Sequence, residues 1–164
     1  MANRKMANKS VKNRRALEKQ YGELYTRHFK CDQNFCFYCG DVMNCIDHSP
    51  PLKAFDTYNS SYFNENEIPL TKVPCCNRCN MKLGSKMLLT IEERLDFLEI
   101  SYESELNRLK GLWSDDEIEQ MGRGLKDYIV ARKAHQRLII DKIRGVQSRI
   151  VKPYTFPKFE KEEL

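Results

Sequence analysis

Two pairs of cysteines constrain this chain more than any other feature of its sequence. The first pair runs from Cys36 to Cys39 and the second from Cys76 to Cys79, each with CxxC spacing. Two sulfurs three positions apart on a tight turn can share one metal ion, and four thiolates complete the tetrahedral shell of a structural zinc. Residues 40–75 separate the pairs. The sequence therefore predicts a four-cysteine zinc site that joins two distant parts of the chain, with a structured segment between them.

The other cysteines favour metal binding over disulfides. We expect an intracellular, cytoplasmic protein with reduced thiols, because no apolar membrane span or secretory signal is evident. The seven cysteines are an odd number, which leaves one unpaired in any scheme of disulfides alone. Cys75 is an alternative ligand to Cys76, but the spacing from Cys76 to Cys79 matches that of the first pair. We expect Cys31 and Cys45 to be buried thiols that pack as small hydrophobes.

The remaining pattern predicts an α+β fold in three parts. A basic N-terminal arm and helix covers residues 1–30, a zinc-stapled domain residues 31–89, and a C-terminal helical region with an extended tail residues 90–164. Apolar spacing in the first part predicts a helix over about residues 11–29.

Within the zinc-stapled domain we expect two short strands, a loop and a helix. The strands lie near Val42–Asp47 and Leu70–Val73, and residues 54–68 have the composition of a long surface loop. The helix begins around the second cysteine pair and runs to about Met87.

Two capping boxes mark the starts of the C-terminal helices. Thr90 with Glu93 opens the first helix, which ends near Gly111, and Ser114 with Glu117 opens the second, which runs to about residue 150. Both helices carry an apolar stripe at helical spacing. In the first helix, the residues expected to face inward are Ile91, Leu95, Leu98 and Ile100. In the second helix they are Ile118, Met121, Leu125, Tyr128, Ile129, Ile139, Ile143, Val146 and Ile150.

The stripe of the second C-terminal helix needs a partner. It packs either against the first C-terminal helix or against a second copy of the chain, which would make a homodimer. We expect Gly122 and Gly124 to bend this helix and Trp113, just before it, to lie in the core.

A third motif accompanies the cysteines. Asp47-His48, followed by Ser-Pro-Pro, lies between the pairs, and Asn80 directly follows the last cysteine. In this order the motifs resemble the HNH nuclease family over about residues 33–88. The resemblance implies a ββα-metal core in which His48 is the general base and Asp47 and Asn80 bind a catalytic divalent cation, Mg²⁺ or Mn²⁺. It also implies that the chain hydrolyses the phosphodiester bonds of DNA.

The chemistry of these side chains fits that activity. A histidine with a pKa near 6.5 can take a proton from water at neutral pH. A hard cation prefers oxygen ligands, such as the carboxylate of Asp47 and the side-chain carbonyl of Asn80, and neutralises charge on a leaving oxygen. Arg78 and Lys82 neighbour this motif and are candidates for holding phosphate oxygens.

Two positions depart from the family pattern. The family's common lysine three residues after the last ligand is absent, because Leu83 stands there and Lys82 is one position earlier. Where the family usually has an Asn that orients the catalytic histidine, five residues before the third zinc cysteine, this chain has Thr71. Either the Thr71 hydroxyl takes that role, or Asn59, Asn64 or Asn66 reaches in from the preceding loop.

Positive charge lies mainly outside the cysteine-rich centre. Lys and Arg dominate residues 1–30 and 123–158, and the net charge is +5. Such blocks either suit a phosphate backbone or are solvated helix faces. Lys12, Arg14 and Arg15 are the N-terminal candidates for binding nucleic acid.

Three functions are consistent with the sequence. A metal-dependent HNH-type endonuclease leads; the alternatives are an inactive HNH-like domain that binds nucleic acid or a protein partner, and a zinc-ribbon adaptor. Convergence of Asp47, His48 and Asn80 around one cation site favours the enzyme. His28 and His135 lie in helix-like stretches, and we expect them to be structural.

Overall fold

The computed structural model describes residues 13–27, 31–109, 111 and 113–150. Over these residues the chain is a mixed α+β structure with one three-stranded sheet, which confirms the predicted class. Among the helices in these ranges, none is long and apolar enough to cross a membrane.

The elements follow one another in a simple order. Helix α1 covers residues 13–21 and continues into a 3-10 turn. In chain order come the 3-10 turn Gly22–Leu24, β1 (Thr26–Arg27), β2 (Cys45–Ser49), the 3-10 helix Leu52–Asp56, α2 (Ser60–Glu65), β3 (Thr71–Cys75), α3 (Asn77–Leu83), α4 (Ile91–Leu109), α5 (Asp115–Glu119) and α6 (Arg123–Ile150).

The sheet has the order β1-β3-β2, so β3 is central. Strand β2 pairs with β3 in antiparallel fashion, and His48 lies opposite Lys72. Strand β1 runs parallel to β3 and pairs Thr26 with Thr71. The two predicted strands are present but begin and end a few residues later than expected. The sequence did not indicate β1, because two residues are too few to show an alternating pattern.

The predicted helix over residues 11–29 is wrong at its C-terminal end. The chain becomes extended at Tyr25, with ψ of 124°. The ring of Tyr25 is buried, and its hydroxyl donates a hydrogen bond of 2.8 Å to the carbonyl oxygen of Pro50. The backbone N–H of Thr26 then donates to the carbonyl of Leu70. Sheet pairing and a buried aromatic ring therefore override the helical pattern.

The predicted surface loop over residues 54–68 is also wrong, because it contains α2. Asn59 caps this helix by accepting a hydrogen bond from the backbone N–H of Tyr62. Phe63 is fully buried, and the rings of Tyr58 and Tyr62 stack 4.3 Å apart. Aromatic burial stabilises a helix too short to form alone.

Both capping boxes are present. The N–H of Glu93 donates to Thr90 Oγ1 at 3.2 Å, and the N–H of Glu117 donates to Ser114 Oγ at 3.3 Å. The helix opened by Ser114 does not bend but ends at Glu119, and α6 starts at Arg123. The second cysteine pair opens α3 as predicted, although α3 ends at Leu83, before Met87.

Helix α6 packs against α4, so the chain itself covers part of the predicted stripe, at Ile129, Ile139, Ile143 and Val146. The helices are antiparallel, because Gln147 near the end of α6 contacts Glu99 in the middle of α4, and the earlier Arg132 contacts Arg108 in the last turn of α4. Because Arg132 contacts the last turn of α4, the residues of α6 before it extend past the end of α4. Residues expected inside but exposed are Ile100, Trp113, Leu125, Tyr128 and Ile150.

One close approach fixes α6 on the first cysteine pair. A Cβ atom at Gly145 would lie 2.2 Å from the carbonyl oxygen of Cys39 and 2.9 Å from its Cα. These are backbone atoms, which cannot rotate away. Only glycine allows this contact between the helix and the cysteine turn.

We therefore expect Gly145→Ala to destabilise the protein. Overpacking against a fixed backbone costs about 1–3 kcal/mol, more than the gain of up to about 1 kcal/mol from the better helix propensity of alanine. Urea denaturation in zinc-containing buffer measures the difference. Gly124→Ala in the same helix is the matched control, because nothing lies within 4 Å of the added Cβ. Equal stability of the two variants would contradict the close contact.

Candidate metal centre and catalytic cleft

The four predicted zinc ligands come together in the structure. The Sγ atoms of Cys36, Cys39, Cys76 and Cys79 all lie within 4.8 Å of one another, and all four residues are buried. The Cys39 and Cys76 sulfurs are 3.7 Å apart. In a tetrahedral zinc site with Zn–S bonds near 2.3 Å, sulfurs lie about 3.8 Å apart. The cluster therefore fits a structural metal such as zinc.

Local backbone geometry sets up each pair. The first forms a tight turn, in which the N–H of Gly40 donates to the carbonyl of Cys36 and Gly40 has a φ of +81°, a region open to glycine. In the second, Cys76 is the N-cap of α3 and Cys79 lies in its first turn. The cluster thus joins a turn to the start of a helix.

The other three cysteines lie outside the cluster. Cys75 is buried, and its thiol donates to the backbone carbonyl of Cys76, so Cys76 rather than Cys75 is in the ligand set. Cys31 and Cys45 were expected to be buried but are only half-buried against the core.

Two residues that the sequence analysis missed contact the cluster from the C-terminal helices. The hydroxyl of Tyr102 in α4 lies 3.2 Å from Cys79 Sγ. The Nζ atom of Lys142 in α6 donates to Cys39 Sγ at 3.5 Å and pairs with Asp41. Burial alone lowers the pKa of Lys142, but its contact with Asp41 and the nearby thiols raises it overall. If the four cysteines bind a divalent ion as thiolates, a charged Lys142 would offset part of their negative charge.

A cleft of about 680 Å³ opens beside the cluster, between α1, β2 and α3. Asp47 and His48 line it from β2, Asn80 lines it from α3, and Arg14 lines it from α1. The three residues of the sequence motif thus line one cavity, although Asp47 and His48 are consecutive in a strand.

His48 is held by aromatic and charged neighbours. Its ring meets that of Tyr25 edge-on, with centroids 4.8 Å apart. Its Nε2 atom lies 3.3 Å from Glu18 Oε2, but the atoms are not aligned as a hydrogen bond. Burial lowers the pKa of His48, and the charge of Glu18 opposes this shift. The imidazole is therefore neutral at pH 7 and able to accept a proton.

Asp47 is part of a buried charge pair. Its Oδ2 atom accepts hydrogen bonds from the Tyr38 hydroxyl at 2.7 Å and from Arg94 Nη1 at 2.6 Å. Arg94 is 1% exposed, so this ion pair is fully desolvated. No sequence pattern indicates Arg94, because it lies outside the motif, on the inner face of α4.

No described hydrogen bond joins Thr71 to His48. Thr71 is buried and pairs with Ser49 in the sheet. Of the alternatives, Asn59 caps the start of α2, and the Asn66 side chain donates to the Tyr62 carbonyl at its end. Neither of these two asparagines has a described hydrogen bond to His48.

Arg78 and Lys82 do not line the cleft, contrary to the expectation that they lie beside it. Both bind Glu105 in α4, at 2.5 Å and 2.9 Å. His135 in α6 also reaches Glu105, at 3.0 Å. Partial burial raises the pKa of Glu105, but hydrogen bonds from Lys82, His135 and Arg78 lower it to about 2. These residues form a structural network, which agrees with the structural role expected for His135.

The N-terminal basic candidates are only partly described. Arg14 lines the cleft and Arg15 is exposed on α1. Lys12 and His28 lie outside the described residues.

Comparison of the chain with protein-family models, with curated proteins and with solved structures found no match.

We expect zinc to be integral to the fold. Binding of a structural zinc contributes about 10–16 kcal/mol, as much as the whole stability of a typical domain. Cys39→Ser should therefore lose the metal and unfold. Elemental analysis of the wild type should give one zinc per chain, and circular dichroism should report folding.

Cys31→Ser is the matched control, because Cys31 lies outside the four-sulfur group. It should keep both zinc and fold. A folded wild type without metal would exclude a structural zinc.

Proposed function

We propose that this chain is a metal-dependent HNH-type endonuclease that hydrolyses phosphodiester bonds in DNA. One observation carries the proposal: Asp47, His48 and Asn80 line a single cleft next to a four-cysteine cluster. A strand supplies the first two residues and a short helix the third, and the cluster ties that helix to the cysteine turn.

The order of elements also supports a ββα-metal core. Strands β2 and β3 are antiparallel neighbours, and α3 follows β3 directly. The 3-10 helix Leu52–Asp56 and α2 lie between the two strands, so the segment is compatible with a ββα core that carries an insertion, and His48 lies near the end of its first strand. The remaining helices, α1, α4 and α6, surround this core.

In the proposed reaction, His48 accepts a proton from the attacking water, and the resulting hydroxide forms a bond to phosphorus while the bond to the leaving oxygen breaks. A bound Mg²⁺ or Mn²⁺ would neutralise the charge on that oxygen. Asn80 and Asp47 are the oxygen ligands that would hold this cation. Tyr38 and Arg94 fix the orientation of the Asp47 carboxylate. Arg14 supplies positive charge on the opposite wall.

A second candidate is an HNH-like domain that binds nucleic acid without cutting it. The pairing of Asp47 with Arg94 favours it, because this pair already compensates the carboxylate charge that a cation would use. The cleft and the cysteine cluster are compatible with both candidate functions and do not distinguish them.

If the chain is an endonuclease, His48→Ala should abolish DNA cleavage. Loss of a general base typically costs about 10²–10⁴-fold in rate, while the fold and the zinc content should not change. Nicking of supercoiled plasmid with titrated Mg²⁺ or Mn²⁺ measures the rate. His135→Ala is the control, because His135 lies outside the cleft and contacts Glu105.

Asn80→Ala tests the cation site better than a substitution of Asp47. Removing Asp47 would leave Arg94 buried and unpaired, which typically costs about 3–5 kcal/mol of stability. Activity lost in Asn80→Ala should return in part at high Mg²⁺ or Mn²⁺, whereas His48→Ala should stay inactive. A wild type that cuts no DNA with either metal would support the binding domain instead.

Both candidates predict DNA binding that weakens with salt, because each neutralised phosphate releases counterions. Reversing Arg14 and Arg15 to Glu should weaken affinity and reduce the salt slope by about one for each phosphate that is no longer bound. Arg123→Glu with Lys126→Glu makes the same charge change on exposed positions of α6 and should have a smaller effect. Fluorescence anisotropy over a salt series measures the DNA affinity of both double variants. A larger loss of affinity in the α6 variant would show that the DNA-binding surface lies away from the cleft.

A further inference from the structure

A carboxylate from outside the motif faces the candidate general base. Glu18 of α1 lies with Oε2 at 3.3 Å from His48 Nε2 and with Oε1 at 4.0 Å from Lys72 Nζ. His48 and Lys72 are directly opposite each other in β2 and β3. Helix α1 therefore sets one negative charge over a histidine and a lysine that share a sheet position.

The conformation of Glu18 depends on a glycine one turn later. A Cβ atom at Gly22 would lie 2.8 Å from Glu18 Oε1 and 3.2 Å from its Cδ. The absence of this atom lets the side chain fold back along the helix to reach His48. The helix itself is anchored there, because Tyr21 stacks on Phe55 with ring centroids 4.1 Å apart.

The buried nitrogen of His48 needs this partner. Nε2 has no aligned hydrogen bond within the described part of the chain and no contact with solvent. An unsatisfied buried polar group costs about 1–3 kcal/mol. Glu18 is the acceptor within reach, and its side chain is half-exposed, so a small rotation aligns it.

We propose that Glu18 is a positioning residue that accepts a hydrogen bond from Nε2–H of neutral His48 and so leaves Nδ1 as the nitrogen that takes the proton. This inference rests on the proposed function. In this role Glu18 would orient His48, as the family's usual asparagine does at the position where this chain has Thr71. The group that hydrogen-bonds to one ring nitrogen of a histidine determines the tautomer and the ring orientation. Tyr25 restrains the plane of the ring from another side.

The other charged groups near His48 do not replace Glu18. Lys72 and Arg14 are cations and cannot accept a hydrogen bond from Nε2. Asp47 precedes His48 in the strand, and its Oδ2 is bound by Tyr38 and Arg94.

The tautomer of His48 tests the proposal without any catalysis. Long-range ¹H–¹⁵N NMR spectra of the folded protein, recorded at a pH where imidazoles are neutral, show which ring nitrogen carries the hydrogen. The wild type should show Nε2–H, and the spectrum of His48→Ala assigns the signal. Glu18→Ala should lose this preference, whereas Glu18→Gln should keep most of it, because an amide carbonyl is also an acceptor.

Gly22→Ala gives a second test that leaves the carboxylate in the chain. The added methyl group displaces the Glu18 side chain, so the tautomer should shift as it does in Glu18→Ala. Glu23→Gln is the matched control, because Glu23 is an exposed carboxylate on the adjacent turn, and it should leave the spectrum unchanged. An unaltered tautomer in both Glu18→Ala and Gly22→Ala overturns the proposal.

The cleavage rate gives an independent readout. Loss of an orienting partner typically lowers activity by about 10–100-fold, and it should do so in kcat with KM unchanged. Glu18→Gln should recover most of the rate. A higher kcat in Glu18→Ala would overturn the proposal by showing that the carboxylate blocks the histidine. If the wild type cuts no DNA, the nuclease function fails, and the tautomer alone decides whether Glu18 positions the ring.

Discussion

The four-cysteine cluster is the contact on which the rest of the structure depends. The turn before β2 and the first turn of α3 meet there, and both are short elements that could not hold their positions alone. The C-terminal helices also converge on it. Tyr102 of α4 and Lys142 of α6 contact its sulfurs, and Gly145 lets α6 lie against the Cys39 backbone. A metal bound there would therefore fix the relative positions of helices far apart in sequence.

A second buried interaction links the cysteine cluster to the candidate site. Arg94 of α4 reaches Asp47 of β2, and Tyr38, which lies within the first cysteine turn, donates to the same oxygen. Breaking a fully buried ion pair typically costs about 3–5 kcal/mol, so Arg94, Tyr38 and Asp47 act as one unit. The residue before the histidine is thus held by both the cysteine turn and the long helix. This arrangement gives Asp47 a structural role beside any role as a cation ligand.

The sequence was most informative where chemistry demands a fixed spacing. The grouping of the four cysteines and the two capping boxes could be predicted, because metal-binding cysteines and a helix N-terminus impose local spacings. The motif also indicated that Asp47, His48 and Asn80 lie at one cleft. The α+β class followed from them. The helix within residues 54–68 could not be predicted, since Phe63 and its aromatic neighbours gain stability only from tertiary burial. Strand β1 could not be predicted either, because it exists only through its pairing with β3.

The sequence was least informative about side chains that approach the site from other elements. Arg78 and Lys82 are next to the motif in sequence, yet the helical period directs them to Glu105 on the side of α3 that faces α4. Glu18, Arg94 and Lys142 lie far from the motif, yet they contact His48, Asp47 and Cys39. No local spacing links these pairs, so only the fold reveals them.

These long-range contacts change how the motif should be interpreted. The cysteine cluster and the Asp47-His48 pair bury several ionisable groups, and side chains from other elements contact them. In this chain, α1, α4 and α6 each add one charged side chain of the opposite sign or a hydrogen-bond acceptor where the core needs it. The carboxylate of Glu18 faces His48, the guanidinium of Arg94 pairs with Asp47, and the ammonium of Lys142 contacts Cys39. The surroundings of His48 therefore cannot be judged from the motif alone, because a flanking helix supplies a side chain that contacts it.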